Sequence, residues 1–342
     1  MNIHSDRPVL GITMGDPAGV GPEIIIKSLA DPEIQNLCTP VILGDYEILK
    51  KAGLDLKTPN KLVIADDLNC DFSNCPQGVI ACLSTLNPEV TGLGHPTPET
   101  GKAMETYINT GVDLALSGAI DAIVTGPITK TGLKMAGSSF HGHTELIAHR
   151  TGTDNFAMMM AGPRLKVVLT TIHIPLSKVP EQVTCQEITR IINLTRDTLI
   201  TRFGIPNPRL AVAGLNPHAG EQGMFGSEEE EIIKPAVQKA REKGFDVTGP
   251  YPPDTVFFNA VEGAFDAVVC MYHDQGLIPF KLIHFRDGVN TTIGLPIIRT
   301  SVDHGTAYDI AWKGIADPSS MKEAIKMAAV QAVNQKRHGH GR

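Results

Sequence analysis

Residues 209–218, RLAVAGLNPH, join a short apolar run to a histidine that stands just beyond its end. The run Leu210–Ala213 has the length and composition of a buried strand. Apolar residues repeat at helical spacing from Ile233 onward, and the next apolar run, Ala267–Met271, predicts a second strand. This order of strand, helix and strand predicts an α/β protein with mostly parallel sheets.

The same alternation extends through the rest of the chain. The acidic run from Ser227 to Glu230 fits a capping box and predicts a helix N-terminus. The basic, Gly- and His-containing tail from Gln335 to Arg342 is predicted to be disordered. Further strands are predicted at Val9–Met14, Ala119–Val124 and Val289–Ile293, a hairpin at Phe156–Met160 and Leu165–Thr171, and long helices at Glu99–Leu116 and Ser319–Ala332.

Composition narrows the class of protein. With 342 residues, 42% of them hydrophobic, the chain can bury cores for two domains. A formal charge of −7 disfavours nucleic acid and anionic membranes as partners, and one Trp, five Tyr and eleven Phe provide few stacking surfaces. The six cysteines form no C-x-x-C pair, and no apolar run reaches about 18 residues. We therefore expect a cytoplasmic protein with neither membrane nor nucleic-acid partners.

Three histidines share one sequence context. His173 ends the run KVVLTTIH, His218 follows the strand already described, and His273 ends AVVCMYH. Ligands of open α/β sheets bind outside the carboxyl ends of the strands, where these three side chains are expected. Taken singly, each fits a structural histidine better than a metal ligand. Together they predict an open metal site, for which zinc is the best match to neutral imidazole and other divalent ions are alternatives.

A second group of side chains suits an anionic ligand. Lys281, Asn290 and Arg299 lie nine residues apart and flank one predicted strand, and Lys and Arg both bind phosphate or carboxylate. His143 and Thr144 open a predicted helix, where free backbone N–H groups favour an anion. The alternatives are ordinary surface charge for the first group and a simple Thr144 N-cap for the second.

The glycine-rich loops match none of the common nucleotide-binding or hydrolase motifs. The loop Gly15–Glu23 is not G-x-G-x-x-G, and Val124–Thr131 lacks the second Walker glycine. Each is also consistent with a tight turn between a strand and a helix. Neither a G-x-S-x-G elbow nor an H-E-x-x-H motif occurs, which disfavours a serine hydrolase and a zincin protease.

Long sequence blocks provide a more specific indication. Together they resemble the 4-hydroxythreonine-4-phosphate dehydrogenase family of vitamin B6 biosynthesis, in the expected order, over about Val9 to Ala332. The blocks are GITMGDPAGVGPEI, VTGPITK, GHTE, TTIHIPL, GLNPHAGE, PPDTVF, MYHDQGLIPFK and GVNTTIGLPIIRTSVDHGTAYDIA.

The resemblance implies a fold and a set of partners. It implies two α/β/α domains with a cleft between them, as in isocitrate and isopropylmalate dehydrogenases. The first domain would comprise residues 1–145 plus 295–342, and the second residues 146–294 with the metal and dimer contacts. The family forms homodimers that share the metal site, and it binds NAD without a Rossmann fingerprint. No residue of this chain is assigned to NAD.

The resemblance also assigns residues to roles. The metal ligands fall on His173, His218 and His273, with zinc expected ahead of magnesium, manganese or cobalt. The substrate contacts fall on the anion-binding groups described above, His143, Thr144, Lys281, Asn290 and Arg299. Asp254 and Asp274 are candidates for the catalytic base or for orienting a ligand histidine, and for Asp274 orientation is favoured.

The reaction expected from the resemblance is an oxidative decarboxylation. The C3 hydroxyl of 4-phosphohydroxythreonine would be oxidised with NAD, and loss of CO2 would give 3-amino-2-oxopropyl phosphate. Paralogues oxidise 4-phospho-D-threonate or 4-phospho-D-erythronate to dihydroxyacetone phosphate, which is one alternative. A phosphate acyltransferase of similar architecture is an alternative from another class.

Overall fold

The computed structural model describes residues 7–58, 62–65, 68, 71–75, 78–89, 93–140 and 142–340. Cys70 and the last two residues of the predicted tail lie outside the described residues. The described strands are β1 (Val9–Thr13), β2 (Thr39–Asp45), β3 (Val63–Ile64), β4 (Val79–Ser84), β5 (Ala122–Thr125), β6 (Ala157–Ala161), β7 (Lys166–Leu169), β8 (Leu210–Ala213), β9 (Val247–Tyr251), β10 (Ala267–Cys270), β11 (Val289–Ile293) and β12 (Arg299–Ser301).

The helices alternate with these strands. The described α-helices are α1 (Gly21–Leu29), α2 (Pro32–Leu37), α3 (Tyr46–Asp55), α4 (Pro98–Leu116), α5 (Lys130–Met135), α6 (His143–Arg150), α7 (Val179–Gln182), α8 (Cys185–Thr201), α9 (Lys234–Glu242), α10 (Pro253–Val261), α11 (His273–His284) and α12 (Ser319–His340). Short 3-10 segments lie at Phe72–Asn74 and Leu176–Lys178, a turn with left-handed residues lies at Pro217–Gly223, and a π-helical turn lies at Glu229–Ile233.

Two compact units make up the chain. The first comprises Met1–Asp154 and Leu295–Lys336, and the second comprises Asn155–Gly294 with Arg337–Arg342. The first unit is therefore discontinuous in sequence. The boundary expected from the sequence, between residues 145 and 146, falls inside α6, whereas the whole of that helix belongs to the first unit.

The first unit is built on a parallel sheet. Its strands follow the order β3-β4-β2-β1-β5-β12, and each described pair is parallel. β1, β2 and β5 are buried along their whole length, so apolar residues follow one another in their sequences instead of alternating with polar ones. α4 begins at a capping box formed by Thr97 and Thr100, and it packs against β1, β2, β4 and β5.

The second unit contains a mixed sheet. Its strands follow the order β11-β6-β7-β10-β8-β9, in which β6 is antiparallel to both β11 and β7. The remaining pairs are parallel. The predicted hairpin is thus confirmed as β6 and β7. Val167, Leu169, Val268 and Phe280 form part of its buried core, and the predicted α/β class is confirmed in both units.

The C-terminal segment differs from the prediction. α12 continues to His340, so the prediction of disorder from Gln335 onward is wrong for residues 335–340. A tertiary contact anchors this segment, because Lys336 Nζ lies 2.7 Å from Asp121 Oδ1. The basic composition that suggested a tail is therefore the composition of a helix end. Among the described residues, no helix is long and apolar enough to cross a membrane.

Candidate functional site

Three adjacent strands of the second unit end at one edge of its sheet. β10 lies between β7 and β8 and is parallel to both. The pairing of β7 with β10 continues past the strand ends, where the Thr170 N–H donates to the Cys270 carbonyl at 2.8 Å. The N–H and the hydroxyl of Thr171 both donate to the Met271 carbonyl, at 3.2 and 2.8 Å. Residues that follow these strands therefore share one edge of the sheet.

His173 and His273 lie close together beyond this edge. Their ring centroids are 5.6 Å apart. His273 is the first residue of α11, and its Nδ1 lies 2.7 Å from Asp274 Oδ1. This contact orients the ring through Nδ1, so that Nε2 is the ring nitrogen that remains to bind a metal ion. Both rings line a cavity of about 370 Å³, together with Tyr272 and Leu176.

His218 is carried by a different kind of backbone. From His218 to Gln222 the φ angles are 51, 51, 77, 42 and 58°, so five consecutive residues are left-handed. Left-handed backbone costs about 1–2 kcal/mol for each residue that has a side chain, so the turn needs support from its surroundings. The His218 ring centroid lies 6.2 Å from that of Phe225.

The predicted ligands are not all brought together within one chain. Among the described residues, no group of three or more His, Cys, Asp or Glu side chains is placed to hold a metal ion. The structure pairs the rings of His173 and His273, whereas the aromatic neighbour of His218 is Phe225.

A buried carboxylate supports the left-handed turn. Glu229 is 1% exposed, and its Oε1 accepts hydrogen bonds from the N–H groups of Leu215 and Asn216, both at 2.8 Å. Its Oε2 accepts a third from Asn216 Nδ2 at 3.0 Å. The carboxylate therefore fixes the chain immediately before His218.

This contact corrects the prediction for the acidic run. The capping box expected from Ser227 is not formed, because the helix starts after Glu228 without a side-chain cap. Its first turn, Glu229–Ile233, is π-helical, and Glu229 points toward the loop after β8 instead of serving the helix start. The separate role of Glu229 cannot be recognised from the sequence, because negative charge at a helix N-terminus is already explained by its favourable interaction with the helix dipole.

A buried glutamine joins two of the strand ends. Gln275 is 6% exposed, its Nε2 donates to the Gly214 carbonyl at 2.6 Å, and its Oε1 accepts from the Met271 N–H at 2.7 Å. It therefore connects the end of β8 with the end of β10. Sequence reasoning missed this residue, because a single glutamine after a strand-end histidine forms no recognisable pattern.

The first unit holds a buried guanidinium. Arg299 begins β12, is 3% exposed, and donates from Nε and Nη2 to Thr125 Oγ1 at 3.2 and 2.9 Å. Burial lowers its pKa to about 10, so the group stays cationic at neutral pH. A fixed, desolvated guanidinium of this kind suits an anionic ligand.

His143 and Thr144 are the first two residues of α6, and the N-cap of this helix is Gly142 rather than Thr144. The His143 Nε2 atom is buried and has no hydrogen-bond partner among the described residues. Burial lowers the pKa of His143 well below its ordinary value, and the charge of Arg299 lowers it further. The ring is therefore neutral at pH 7, and its Nε2 is a buried polar atom without a partner in the described part of the chain.

The remaining predicted residues are distributed between elements of the second unit. Lys281 lies half-buried in α11, and Asn290 lies in β11 opposite Met160. Asp254 is exposed in the first turn of α10. Two of the three anion-binding candidates that lie nine residues apart, Lys281 and Asn290, therefore belong to the second unit, and the third, Arg299, belongs to the first.

Sequence reasoning also missed a buried acid in the first glycine-rich loop. Asp16 is fully buried, and it accepts hydrogen bonds from the Tyr308 hydroxyl at 2.5 Å and from the Ala18 N–H at 2.9 Å. Burial raises the pKa of Asp16 despite these bonds. Gly15 is required beside it, because φ is +73° and a Cβ there would lie 2.4 Å from the Pro127 carbonyl oxygen.

Comparisons with known proteins agree with these observations. The model of a family described as pyridoxal phosphate biosynthetic protein PdxA matches residues 36–328. A 4-hydroxythreonine-4-phosphate dehydrogenase from Desulforapulum autotrophicum is 63% identical over 328 residues, covering 96% of each chain. A D-threonate 4-phosphate dehydrogenase from Cupriavidus necator is 46% identical over 331 residues, covering 96% of this chain and 98% of that one.

A crystal structure gives the same result at the level of the fold. The 4-hydroxythreonine-4-phosphate dehydrogenase of Klebsiella pneumoniae matches with a TM-score of 0.86 and 43% identity, covering 96% of this chain and 98% of that one. The resemblance found in the sequence blocks is therefore confirmed. The chain belongs to the family of pyridoxal phosphate biosynthetic protein PdxA.

Proposed function

We propose that this protein oxidises the C3 hydroxyl of 4-phosphohydroxythreonine with NAD in the cytoplasm. Loss of CO2 from the resulting β-keto acid then gives 3-amino-2-oxopropyl phosphate. The observation that carries the proposal is the 63% identity, over 96% of each chain, to a relative named 4-hydroxythreonine-4-phosphate dehydrogenase. Family membership supports the assignment as a dehydrogenase.

Histidines of the second unit supply donors for a divalent ion. His173, His218 and His273 are the proposed ligands, and their chemistry fits, because the ring centroids of the exposed His173 and the half-buried His273 lie 5.6 Å apart. Zinc is the first choice, with magnesium, manganese or cobalt as alternatives. When bound, the ion supplies Lewis-acid chemistry that lowers the pKa of a coordinated hydroxyl. The contact of Asp274 with His273 supports its role in orienting that ring.

A homodimer completes the metal site in this proposal. α11 exposes the apolar side chains of Ile278 and Leu282, and Phe285 follows directly after the helix, with exposed fractions of 68, 85 and 77%. Met224 and Phe225, beside the left-handed turn, are exposed as well. Apolar surface of this extent favours burial against another protein. A second copy of the chain is the proposed cover, and a shared site agrees with three ligands that do not meet in one described chain.

The anionic ends of the substrate are held by cations and by polar groups. Arg299 presents a fixed positive charge, and the neutral ring of His143 leaves its Nε2 for a substrate oxygen. Thr144 adds a hydroxyl and a backbone N–H at the start of α6. Lys281 and Asn290 are the proposed contacts from the second unit.

The proton of the C3 hydroxyl needs an acceptor. Because Asp274 already contacts His273, the proposed acceptor is Asp254, which is exposed in the first turn of α10. NAD, when bound, would supply the hydride acceptor for C3, and Asp254 would take the proton from the hydroxyl oxygen.

Two alternatives compete with this function. A relative at 46% identity is named for D-threonate 4-phosphate, and a substrate of that kind, 4-phospho-D-threonate or 4-phospho-D-erythronate, would give dihydroxyacetone phosphate. A phosphate acyltransferase is disfavoured, because acyl transfer has no need of histidines at three strand ends.

The decisive experiment follows NADH formation by the metal-loaded protein with 4-phosphohydroxythreonine and with 4-phospho-D-threonate. We expect kcat/KM to be at least about 10-fold higher for the first substrate, which is about 1.4 kcal/mol of discrimination. A chelator should abolish the signal, and added zinc should restore it. Faster turnover of the second substrate would establish the paralogue activity, and no NADH from either would overturn the dehydrogenase assignment.

A ligand variant tests the metal site separately. His218→Ala should lower zinc affinity more than about 100-fold, which exceeds the usual effect of residues that only orient ligands. His149→Ala is the matched control, because His149 is an exposed histidine at the end of α6. Zinc binding by His218→Ala equal to that of the control would contradict the ligand set.

A further inference from the structure

We infer that Glu229 is a positioning residue that sets the place of His218 for metal binding. The inference rests on the proposed role of His218 as a ligand. It concerns a residue that touches neither the metal nor the substrate and acts through the backbone of the turn.

The carboxylate fixes the chain on the N-terminal side of His218. Oε1 accepts both the Leu215 and the Asn216 N–H at 2.8 Å, and Oε2 accepts the Asn216 side-chain amide at 3.0 Å. Asn216 Nδ2 is held a second time by Glu228 Oε2 at 2.8 Å. Charge-assisted bonds to backbone N–H groups are stronger than neutral ones, so this side of the turn is firmly placed.

The same carboxylate also packs against the C-terminal side of the turn. A Cβ added to Gly220 would lie 2.6 Å from Glu229 Oε2, so the backbone approaches the carboxylate closely there. A Cβ added to Gly214 would lie 3.2 Å from Oε1 and 3.0 Å from the Ala219 Cα. Glu229 therefore fills the inside of the turn, with His218 between the segments that it touches.

The burial of Glu229 indicates that this arrangement serves a purpose. The side chain is 1% exposed, and among the described residues its polar partners are N–H groups rather than a lysine or arginine. Burying a carboxylate is costly unless its hydrogen bonds are satisfied. Left-handed backbone and a π-helical turn, both present here, occur frequently at functional sites. The burial of Glu229 is explained most simply if its carboxylate serves as the hydrogen-bond acceptor that stabilises the strained turn.

The test compares Glu229→Gln with Glu231→Gln in the full-length protein. Both changes remove one charge from the same acidic run, but Glu231 is exposed. The glutamine at 229 keeps its size and one acceptor, while its NH2 group faces the Asn216 Nδ2 donor, so at least one bond is lost. Zinc affinity is measured by competition with a chromophoric chelator, and amide exchange over residues 214–226 is measured by mass spectrometry on the metal-free protein.

We expect Glu229→Gln to lower zinc affinity about 10- to 100-fold and to accelerate exchange in the turn. Glu231→Gln should stay within about twofold of wild type in both measurements. The Co²⁺-loaded Glu229→Gln protein should also show a changed visible absorption spectrum, because a displaced His218 alters the coordination geometry. A purely structural role would lower the melting temperature without changing that spectrum.

The outcomes separate this inference from the proposed function. Unchanged zinc affinity in Glu229→Gln, with His218→Ala defective, would overturn the role of Glu229 alone. Unchanged affinity in both variants would overturn the assignment of His218 as a ligand. Glu229→Ala, which removes every acceptor, should exceed the effect of Glu229→Gln if it folds, and an equal or smaller effect would contradict the inference.

Discussion

The two units present their candidate site residues in opposite ways. The first unit buries Arg299 at 3% exposure and encloses the Nε2 of His143, whereas the second unit leaves the rings of His173 and His218 exposed. In the first unit, burial lowers the pKa of both groups, which leaves Arg299 cationic and His143 neutral at pH 7. In the second unit, buried polar groups under the surface decide where the exposed rings stand. Burial therefore acts on the pKa of the site residues in the first unit, and on the position of the histidine rings in the second unit.

Removal of the polar support under the exposed histidines is the strongest test of this contrast. Gln275→Leu leaves the Met271 N–H and the Gly214 carbonyl without their buried partner. We expect the free energy of unfolding to fall by about 2–4 kcal/mol, measured by urea denaturation. The exposed Gln238→Leu is the control, with an expected change within about 0.5 kcal/mol. Equal effects of the two variants would show that the strand ends do not depend on Gln275.

The buried cation of the first unit is tested next. Arg299→Lys keeps the charge but loses the planar fork that binds Thr125. We expect kcat/KM for the phosphorylated substrate to fall about 10- to 100-fold, or roughly 1.4–2.7 kcal/mol. Arg150→Lys, at an exposed ion pair with Asp113, should leave the kinetics unchanged. A fully active Arg299→Lys enzyme would mean that any buried positive charge suffices.

The pH dependence of stability sharpens the contrast further. Because the pKa of His143 is lowered in the folded protein, the unfolded chain takes up this proton first as the pH falls below 6.5. The stability associated with the neutral ring is therefore complete above pH 6.5 and is lost as the pH falls, by at most about 1.4 kcal/mol per pH unit. Wild type should lose stability more steeply than His143→Gln between pH 6.5 and 5. Parallel curves would show that the site does not hold the ring neutral.

Two adjacent threonines in the second unit allow the contribution of one side-chain hydrogen bond to stability to be measured. The Thr171 hydroxyl donates to Met271, whereas the Thr170 hydroxyl is buried without a partner among the described residues. We expect Thr171→Val to cost about 1 kcal/mol of unfolding free energy and Thr170→Val to be neutral or stabilising. Thermal unfolding of both variants provides the measurement, and a greater loss in Thr170→Val would reverse the interpretation.

The smallest expected effect concerns the strain in the left-handed turn. Ala219→Gly relieves about 1–2 kcal/mol of backbone strain, while the more flexible unfolded chain offsets about 0.4–1 kcal/mol of this gain. A net stabilisation of about 0.5 kcal/mol is expected in urea denaturation. A destabilised variant would indicate that the Ala219 side chain contributes packing that outweighs the strain.

Different parts of the molecule were predictable to different degrees. Short apolar runs identified β7, β8 and β10, because buried parallel strands have continuous apolar sequences. The position of His273 beside His173 follows from that pattern, since both histidines come after adjacent strands. The support for His218 was not predictable, because a left-handed run has no signal in residues such as Ala219 and Gln222. The role of Glu229 was not predictable for a different reason, because the acidic run that contains it is fully explained as the start of a helix.

Buried polar contacts were the other class that escaped prediction. Gln275 and Asp16 each bind groups distant in sequence, Gly214 for the first and Tyr308 for the second. The spacing of residue types predicts local secondary structure, but it does not predict a hydrogen bond between segments that are distant in sequence. The length of α12 was underestimated because its anchor, Asp121, also lies far away in the chain.

The discontinuity of the first unit has a consequence during synthesis on the ribosome. β5 pairs with β12, whose residues are translated only after those of the second unit up to Gly294. Until then β5, which is buried along its whole length in the finished fold, has backbone N–H and C=O groups that β12 does not yet pair. The first unit can therefore add β12 to its sheet only after residues 155–294 have been synthesised.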